Sequence, residues 1–256
     1  MSVDFDDRLW RGYRQGRALP PSAMDAWVDA VERRADRRRP LAVVDLGAGT
    51  GRFTPALAER FGGPVYGIEP APKMRGVALE SAVHPAVTYL AGRAEQIPLP
   101  DASCDLAFLF FVIHHFSSRD AAAGELARVV RPGGIVCVRT QFGDRLRDVS
   151  WRRYFPRARE IEESTFPTYA ETVDPFVRAG FEVVALDAVE FEIAASTAAH
   201  LERLRCRAVS TLELLSDAEV EAGLAAMERA AAAETSPEPV RETGDLLTLH
   251  HGGSRA

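Results

Sequence analysis

The sequence predicts an α/β fold built on a mostly parallel sheet, and three of its features carry that expectation. Stretches of helical spacing alternate with short apolar runs from Leu41 to Leu186. The first run, Val43-Val44-Asp45-Leu46, enters the glycine-packed turn Gly47-Ala48-Gly49-Thr50-Gly51-Arg52-Phe53, and the second, Val65-Tyr66-Gly67-Ile68, closes on the carboxylate of Glu69. Strand, glycine turn, helix and a second strand ending in an acid is how a parallel sheet builds a nucleoside pocket. The third feature is Asp105 to Phe111, nearly all apolar, as suits a strand covered on both faces.

Each element has its own signal. Pro20-Pro21-Ser22 starts a helix, with Asp25 placed to complete a capping box and Met24, Trp27, Val28 and Val31 forming one apolar stripe. A basic run then leads to Pro40. Strands are expected at 41–46, 64–69, 86–90, 105–111 and 135–140, with helices at 52–61, 72–83 and 119–130 between them. The turn Arg131-Pro132-Gly133-Gly134 stops the last of these helices. Thr168 with Glu171 makes a further capping box, Val173, Phe176 and Val177 supply the apolar face behind it, and Gly180 ends that helix before a strand at 181–186. Two helices are expected at 196–215 and 216–233, the second opened by Ser216 and Glu219, and a last strand at 245–250.

Composition narrows the function. No apolar run approaches the eighteen or so residues that cross a bilayer, and the acidic start Met1-Ser2-Val3-Asp4-Phe5-Asp6-Asp7 lacks the basic head and apolar core of a secretory signal, so a soluble, cytoplasmic protein is expected. A net charge of −6 argues against a nucleic-acid partner, whose backbone is held mainly by Lys and Arg, and favours a small-molecule substrate. The basic clusters at 33–39 and at Arg203, Arg205 and Arg207 sit in helical patterns and read as solvated faces. Cys104, Cys137 and Cys206 have no metal-ligand spacing and read as reduced thiols. No metal site is expected.

The glycine turn separates two cofactor classes. A dinucleotide fingerprint needs a third glycine where this chain has Arg52, so a nicotinamide-dependent oxidoreductase is the weaker reading. Asp45 instead gives the pattern D-x-G-x-G-x-G, with Glu69 following at the end of the next strand. In this the chain resembles the class I S-adenosylmethionine-dependent methyltransferases, most closely their small-molecule, type 11-like branch. The resemblance spans residues 41–186. It takes in Glu69-Pro70-Ala71-Pro72-Lys73-Met74, Gly92-Arg93-Ala94-Glu95-Gln96-Ile97-Pro98, Cys104-Asp105-Leu106, Val112-Ile113-His114-His115-Phe116 and the segment 126–134. It implies a Rossmann-like seven-stranded sheet with helices on both faces, the last strand antiparallel, and helical lid elements added. The whole chain would be one domain: an N-terminal helical cap at 1–39, a core at 40–192, a lid insertion at 193–240, and the last strand and tail at 241–256.

The implied cofactor is S-adenosyl-L-methionine, leaving as S-adenosyl-L-homocysteine, with a methyl acceptor that is a small molecule, secondary metabolites included. Cofactor-binding residues would be Asp45, Gly47, Ala48, Gly49, Thr50, Gly51, Glu69, Pro70, Met74, Arg93, Ala94, Glu95 and Phe111. Glycines bring bare amides close to a ligand, and an acceptor-only Glu69 suits both hydroxyls of a ribose. Arg93 stands where relatives carry an Asp that accepts from the adenine amino group. Glu95 or the backbone at Ala94 takes over that contact, or Arg93 lies across the purine, or it turns to solvent.

For the acceptor, the aromatic and basic residues Trp10, Tyr13 and Arg17 from one side and Trp151, Tyr154 and Phe155 from another are the candidates, with Tyr13, Arg17, Trp151 and Tyr154 foremost. An oxygen or protonated nitrogen acceptor needs a base, and His114 or His115, just past the fourth strand, is placed for it. On an extended segment their side chains would point opposite ways, one to the substrate and the other packed as a cap on the next helix. A noncatalytic S-adenosylmethionine binder of the same fold is the alternative; nucleic-acid methylation is disfavoured because no N-P-P-Y type segment follows the fourth strand.

Overall fold

The computed structural model describes residue 16 and residues 19–252. Strands β1 (Leu41–Leu46), β2 (Gly62–Ile68), β3 (Val87–Leu90), β4 (Cys104–Phe110), β5 (Val130–Thr140), β6 (Phe181–Ala194) and β7 (Val240–His251) form one sheet in the order β3-β2-β1-β4-β5-β7-β6. Five strands run parallel from β3 to β5, and β7 is antiparallel to both β5 and β6. The order reverses between β1 and β4, which opens a crevice at their carboxyl ends.

Helices cover both faces: α1 (Pro21–Glu32), α2 (Thr54–Phe61), α3 (Pro72–Ser81), α4 (Arg119–Val129), α5 (Ala158–Thr165), α6 (Tyr169–Arg178), α7 (Thr197–Arg205) and α8 (Asp217–Ala233). Because β1, β4 and β5 are buried on both sides, their side chains feed two cores. Val44, Leu46, Ala107, Leu109, Val136 and Val138 face one, and Val43, Leu106, Phe108 and Cys137 face the other, where α1 brings Trp27. A third, separate core joins 151–158 to α7 and α8 through Trp151, Phe155, Leu201, Leu204, Val220 and Met227. Among the described residues no helix is long and apolar enough to cross a membrane.

Several elements differ from the sequence expectation for local reasons. Helix α1 starts on its prolines: the Pro20 carbonyl accepts from the Ala23 and Met24 amides, and Ser22 lies inside the helix rather than capping it. The helix expected over 196–215 ends at Arg205. Arg207 is left-handed (φ 49°), and Ser210–Leu214 is a 3-10 turn. β6 runs to Ala194, beyond the expected 181–186, because β7 pairs with it along nearly its full length. Helix α5 carried no recognised signal. The capping boxes at Thr168/Glu171 and Ser216/Glu219 are present as read.

Candidate active site

The crevice is lined first by the glycine turn after β1. Gly47, Gly49 and Gly51 have φ of 75°, 58° and 78°, a region that penalises any side chain. A Cβ at Gly47 would also collide with Val112, and one at Gly49 would point at the Met74 methyl, 3.6 Å away, filling the space above the turn. The turn is tied to β2 by bonds from the Gly47 and Ala48 amides to the Ile68 carbonyl, 2.8 and 3.1 Å.

Glu69 is locked in place. Its Oε2 accepts from the Gly49 amide and its Oε1 from the Ala71 amide, both at 2.9 Å. These two amides hold the carboxylate in one orientation at the rim of the crevice, and a carboxylate is a group that only accepts. Below the turn, buried Asp45 accepts from the Thr54 hydroxyl at 2.6 Å. Burial pushes its carboxyl up to about 6, against the opposing pull of that bond and of Arg52.

Beside Glu69 lies an apolar pocket walled by Ile68, Pro70, Ala94, Val112 and Phe116, with His115 at its edge. Arg93 and Glu95 also line it. The Arg93 side chain is 64% exposed, lies 3.6 Å from Glu95 and donates to Ser117 Oγ at 3.1 Å. Glu95 Oε1 in turn accepts from the Ser117 amide and hydroxyl and the Ser118 amide, at 2.7, 2.8 and 3.2 Å. Burial alone would raise the Glu95 carboxyl, but these bonds hold it below its ordinary range. The backbone of this segment is closed by an antiparallel bridge between Arg93 and Gln96.

A second cavity, about 100 Å³, opens past the ends of β4 and β5 beneath α5, α7 and the 3-10 turn. Phe110, Phe111 and Arg52 line it from the segments beside the glycine turn, and Trp151, Phe166 and His200 from the segments that cover the end of the sheet. Phe111 sits here rather than against the apolar pocket. Its φ of 54° ends β4, one residue short of the expected strand, and turns its ring under the Arg139 guanidinium at 4.3 Å. A left-handed aromatic is costly and persists only where its surroundings hold it. An outer mouth of about 390 Å³, lined by His114, His115, Phe166, Thr211 and Leu214, adjoins it.

The histidine pair departs from expectation. Ile113–His115 is a 3-10 turn, so the two rings do not point opposite ways but lie 3.9 Å apart. His114 reaches the inner cavity and packs on Phe166 at 4.8 Å, and His115 edges the apolar pocket. Neither caps α4, whose N-cap is Ser118, accepting from Ala121 at 3.2 Å. Of the acceptor candidates, Trp151 is in the cavity wall. Tyr154 is outside that wall with its hydroxyl accepting from Arg153, and Phe155 is buried in the third core. Trp10, Tyr13 and Arg17 lie outside the described residues. Arg203, read as part of a solvated face, turns into the cavity instead.

The cavity also holds groups the sequence did not single out: Arg139, Gln141, Glu162, His200, Thr211 and Glu242. Glu162 and Arg152 form a buried ion pair at 2.6 Å, extended by bonds to Glu162 from Thr211 (3.0 Å) and from Arg152 to Gln141 (3.3 Å). These partners are distant in sequence and share no motif, so no local signal marks them. Burial raises the Cys104 and Cys137 thiols to about 11 and 12, leaving them protonated and inert.

Comparisons with known proteins meet this geometry at the same place. A family model for a methyltransferase domain matches residues 44–138, from within β1, before the glycine turn, to within β5. An uncharacterized methyltransferase of Geobacillus kaustophilus is 32% identical over 148 residues, 54% of this chain and 68% of the relative. The chain belongs to the class I S-adenosylmethionine-dependent methyltransferases. An uncharacterized methyltransferase of Mycobacterium tuberculosis is 42% identical over 135 residues, 52% of this chain and 50% of the relative, so the match spans about half the length of that relative. The methyltransferase fold extends further. A solved structure from Anabaena variabilis, named as a methyltransferase of an antibiotic biosynthesis pathway, superposes with a TM-score of 0.68 at 24% identity, covering 89% of this chain and 99% of the other.

Proposed function

We propose that this methyltransferase binds S-adenosylmethionine along the carboxyl ends of β1, β2 and β4 and methylates a small molecule held under the lid. The observation that carries the reading is the Glu69 carboxylate, fixed by the Gly49 and Ala71 amides at the rim of an apolar pocket beside three left-handed glycines. The residues present fit the cofactor: a purine slot of aliphatic side chains and backbone, an aimed acid for the ribose, and space above the turn that a side chain at Gly49 would fill. Asp45, under the turn, supplies a negative charge for the amino group of the methionine end.

The cofactor, when bound, supplies an electrophilic methyl on a sulfonium. The chain's part is positional: it holds the acceptor in line, excludes water, and takes up any proton the acceptor gives off. The cavity reaches from Phe110 and Phe111, beside the glycine turn, to the lid, which favours an enzyme over a noncatalytic binder, whose corresponding space would be filled. Its small inner volume suits the reacting end of a metabolite, with the rest in the outer mouth. The antibiotic-pathway assignment of the Anabaena protein points the same way.

Titration calorimetry with S-adenosylmethionine and with NAD, followed by label transfer to a panel of phenolic, carboxylic and amine metabolites, tests the proposal. Binding of the sulfonium nucleoside and transfer to a panel member are expected. Binding of NAD alone would overturn it.

A further inference from the structure

The lid side of the cavity contains a hydrogen-bonded chain of three side chains from three separate segments. Ser150 precedes the Arg152–Tyr154 turn, His200 lies on α7, and Glu242 lies near the start of β7. Ser150 Oγ is 3.1 Å from Glu242 Oε1 and 3.2 Å from His200 Nδ1, and both His200 and Glu242 line the cavity.

Donor accounting fixes the direction of this chain. Glu242 Oε1 accepts both the Ser150 hydroxyl, at 3.1 Å, and the Ser150 amide, at 3.3 Å. The Ser150 hydroxyl therefore spends its one proton on Oε1. Its remaining contact, with His200, must be received, so Nδ1 of His200 carries the ring proton and Nε2 holds a bare lone pair. From the geometry we infer that His200, oriented through Ser150 by Glu242, is the base that removes the acceptor's proton in the methyl transfer proposed above.

The step balances. The O–H or N–H bond of the acceptor breaks, the proton goes to Nε2, and the freed electron pair makes the new bond to the methyl carbon while the departing sulfur keeps the pair of the broken C–S bond. One positive charge leaves the sulfur as one appears on the imidazole, so the buried site gains no net charge. The new imidazolium is held by the Nδ1–H···Oγ–H···Oε1 chain, as a carboxylate holds a catalytic histidine elsewhere. In the resting protein, burial, with Arg203 facing it, lowers His200 to about 4 and keeps it neutral. Burial raises the Glu242 carboxyl, opposed by the Ser150 bonds and by Arg139 and Arg203, which face it from β5 and α7.

This inference rests on the proposed function, and its test separates the two. Nitrogen-15 spectra of histidine-labelled full-length protein, with no ligand added, should show His200 neutral with its proton on Nδ1 from pH 5.5 to 8. Ser150→Ala should redistribute that proton and Ser150→Thr should not. A proton on Nε2, or an imidazolium at pH 7, overturns the inference whatever the protein binds. With a panel acceptor that takes label, His200→Gln should lower kcat about 100-fold or more. Ser150→Ala and Glu242→Gln should lower it about 10-fold, while Ser150→Thr restores it. Calorimetric affinity for S-adenosylmethionine should stay within about twofold in all four variants. An unchanged kcat in His200→Gln overturns the inference while leaving the methyltransferase reading standing; loss of nucleoside binding in the parent sinks that reading instead.

Discussion

The proposed cofactor side and the proposed acceptor side of this molecule are built by different means. On the proposed cofactor side, backbone does most of the work: a glycine turn, the amides of Gly49 and Ala71 on Glu69, and next to them a pocket with aliphatic walls. On the acceptor side, residues far apart in sequence meet through their side chains, as in the Arg152–Glu162–Thr211 and Ser150–His200–Glu242 chains. That side also has its own apolar core, separate from the two cores that flank the sheet. A cofactor common to a family can be bound by a conserved local geometry, whereas an acceptor particular to one enzyme is bound by contacts each lid must assemble for itself.

This division can be broken from the lid side first. Glu162→Ala leaves the Arg152 guanidinium buried without its counter-charge, and breaking a buried pair in this way costs about 3–5 kcal/mol. The melting midpoint should fall by about 10 °C, read by differential scanning calorimetry. Nucleoside affinity at 25 °C should stay within about threefold. A large loss of affinity would show that the lid and the cofactor side are one cooperative unit.

Acid stability sharpens the comparison because one buried group on each side titrates with opposite sign. His200, lowered from 6.5 to about 4, binds a proton more readily unfolded, so the fold should lose about 3 kcal/mol as pH falls from about 6.5 to 4. In His200→Gln that loss should disappear from urea melts across the same range. Asp45, raised from 3.8 to about 6, does the reverse: the folded state holds its proton between about pH 4 and 6, so its ionisation costs stability as pH rises through that window. Asp45→Asn should therefore be more stable than the parent at pH 7, by about 1–3 kcal/mol, while binding S-adenosylmethionine more weakly. A variant both less stable and equally tight would contradict the role given to Asp45. The smallest effect belongs to Arg93, whose exposed pair with Glu95 is worth little. Arg93→Ala should change nucleoside affinity by less than about threefold in calorimetry.

How far the sequence could be read follows the same division. The parallel core was legible because strands buried on both faces are continuous apolar runs, and the glycine turn because only glycine tolerates its dihedrals. Capping boxes at Thr168 and Ser216 were legible because both partners lie three residues apart. Errors came where the backbone departs from regular geometry. The 3-10 turn at Ile113–His115 put both histidine rings side by side, and the left-handed Arg207 cut a helix short. His200, Glu242 and Glu162 carried no signal at all. Each is an unremarkable polar residue in its own segment, and only the packing of α5 and α7 and the pairing of β7 with β6 bring them to one cavity.

The central claim is that Glu69, aimed by two backbone amides, grips the sugar of a sulfonium nucleoside. Titration calorimetry of S-adenosylhomocysteine into the parent and into Glu69→Ala, with circular dichroism confirming that both are folded, tests it most directly. Saturable binding to the parent and a loss of about 100-fold or more in the variant are expected. Equal affinity in the two proteins, or no binding to the parent, would contradict the claim.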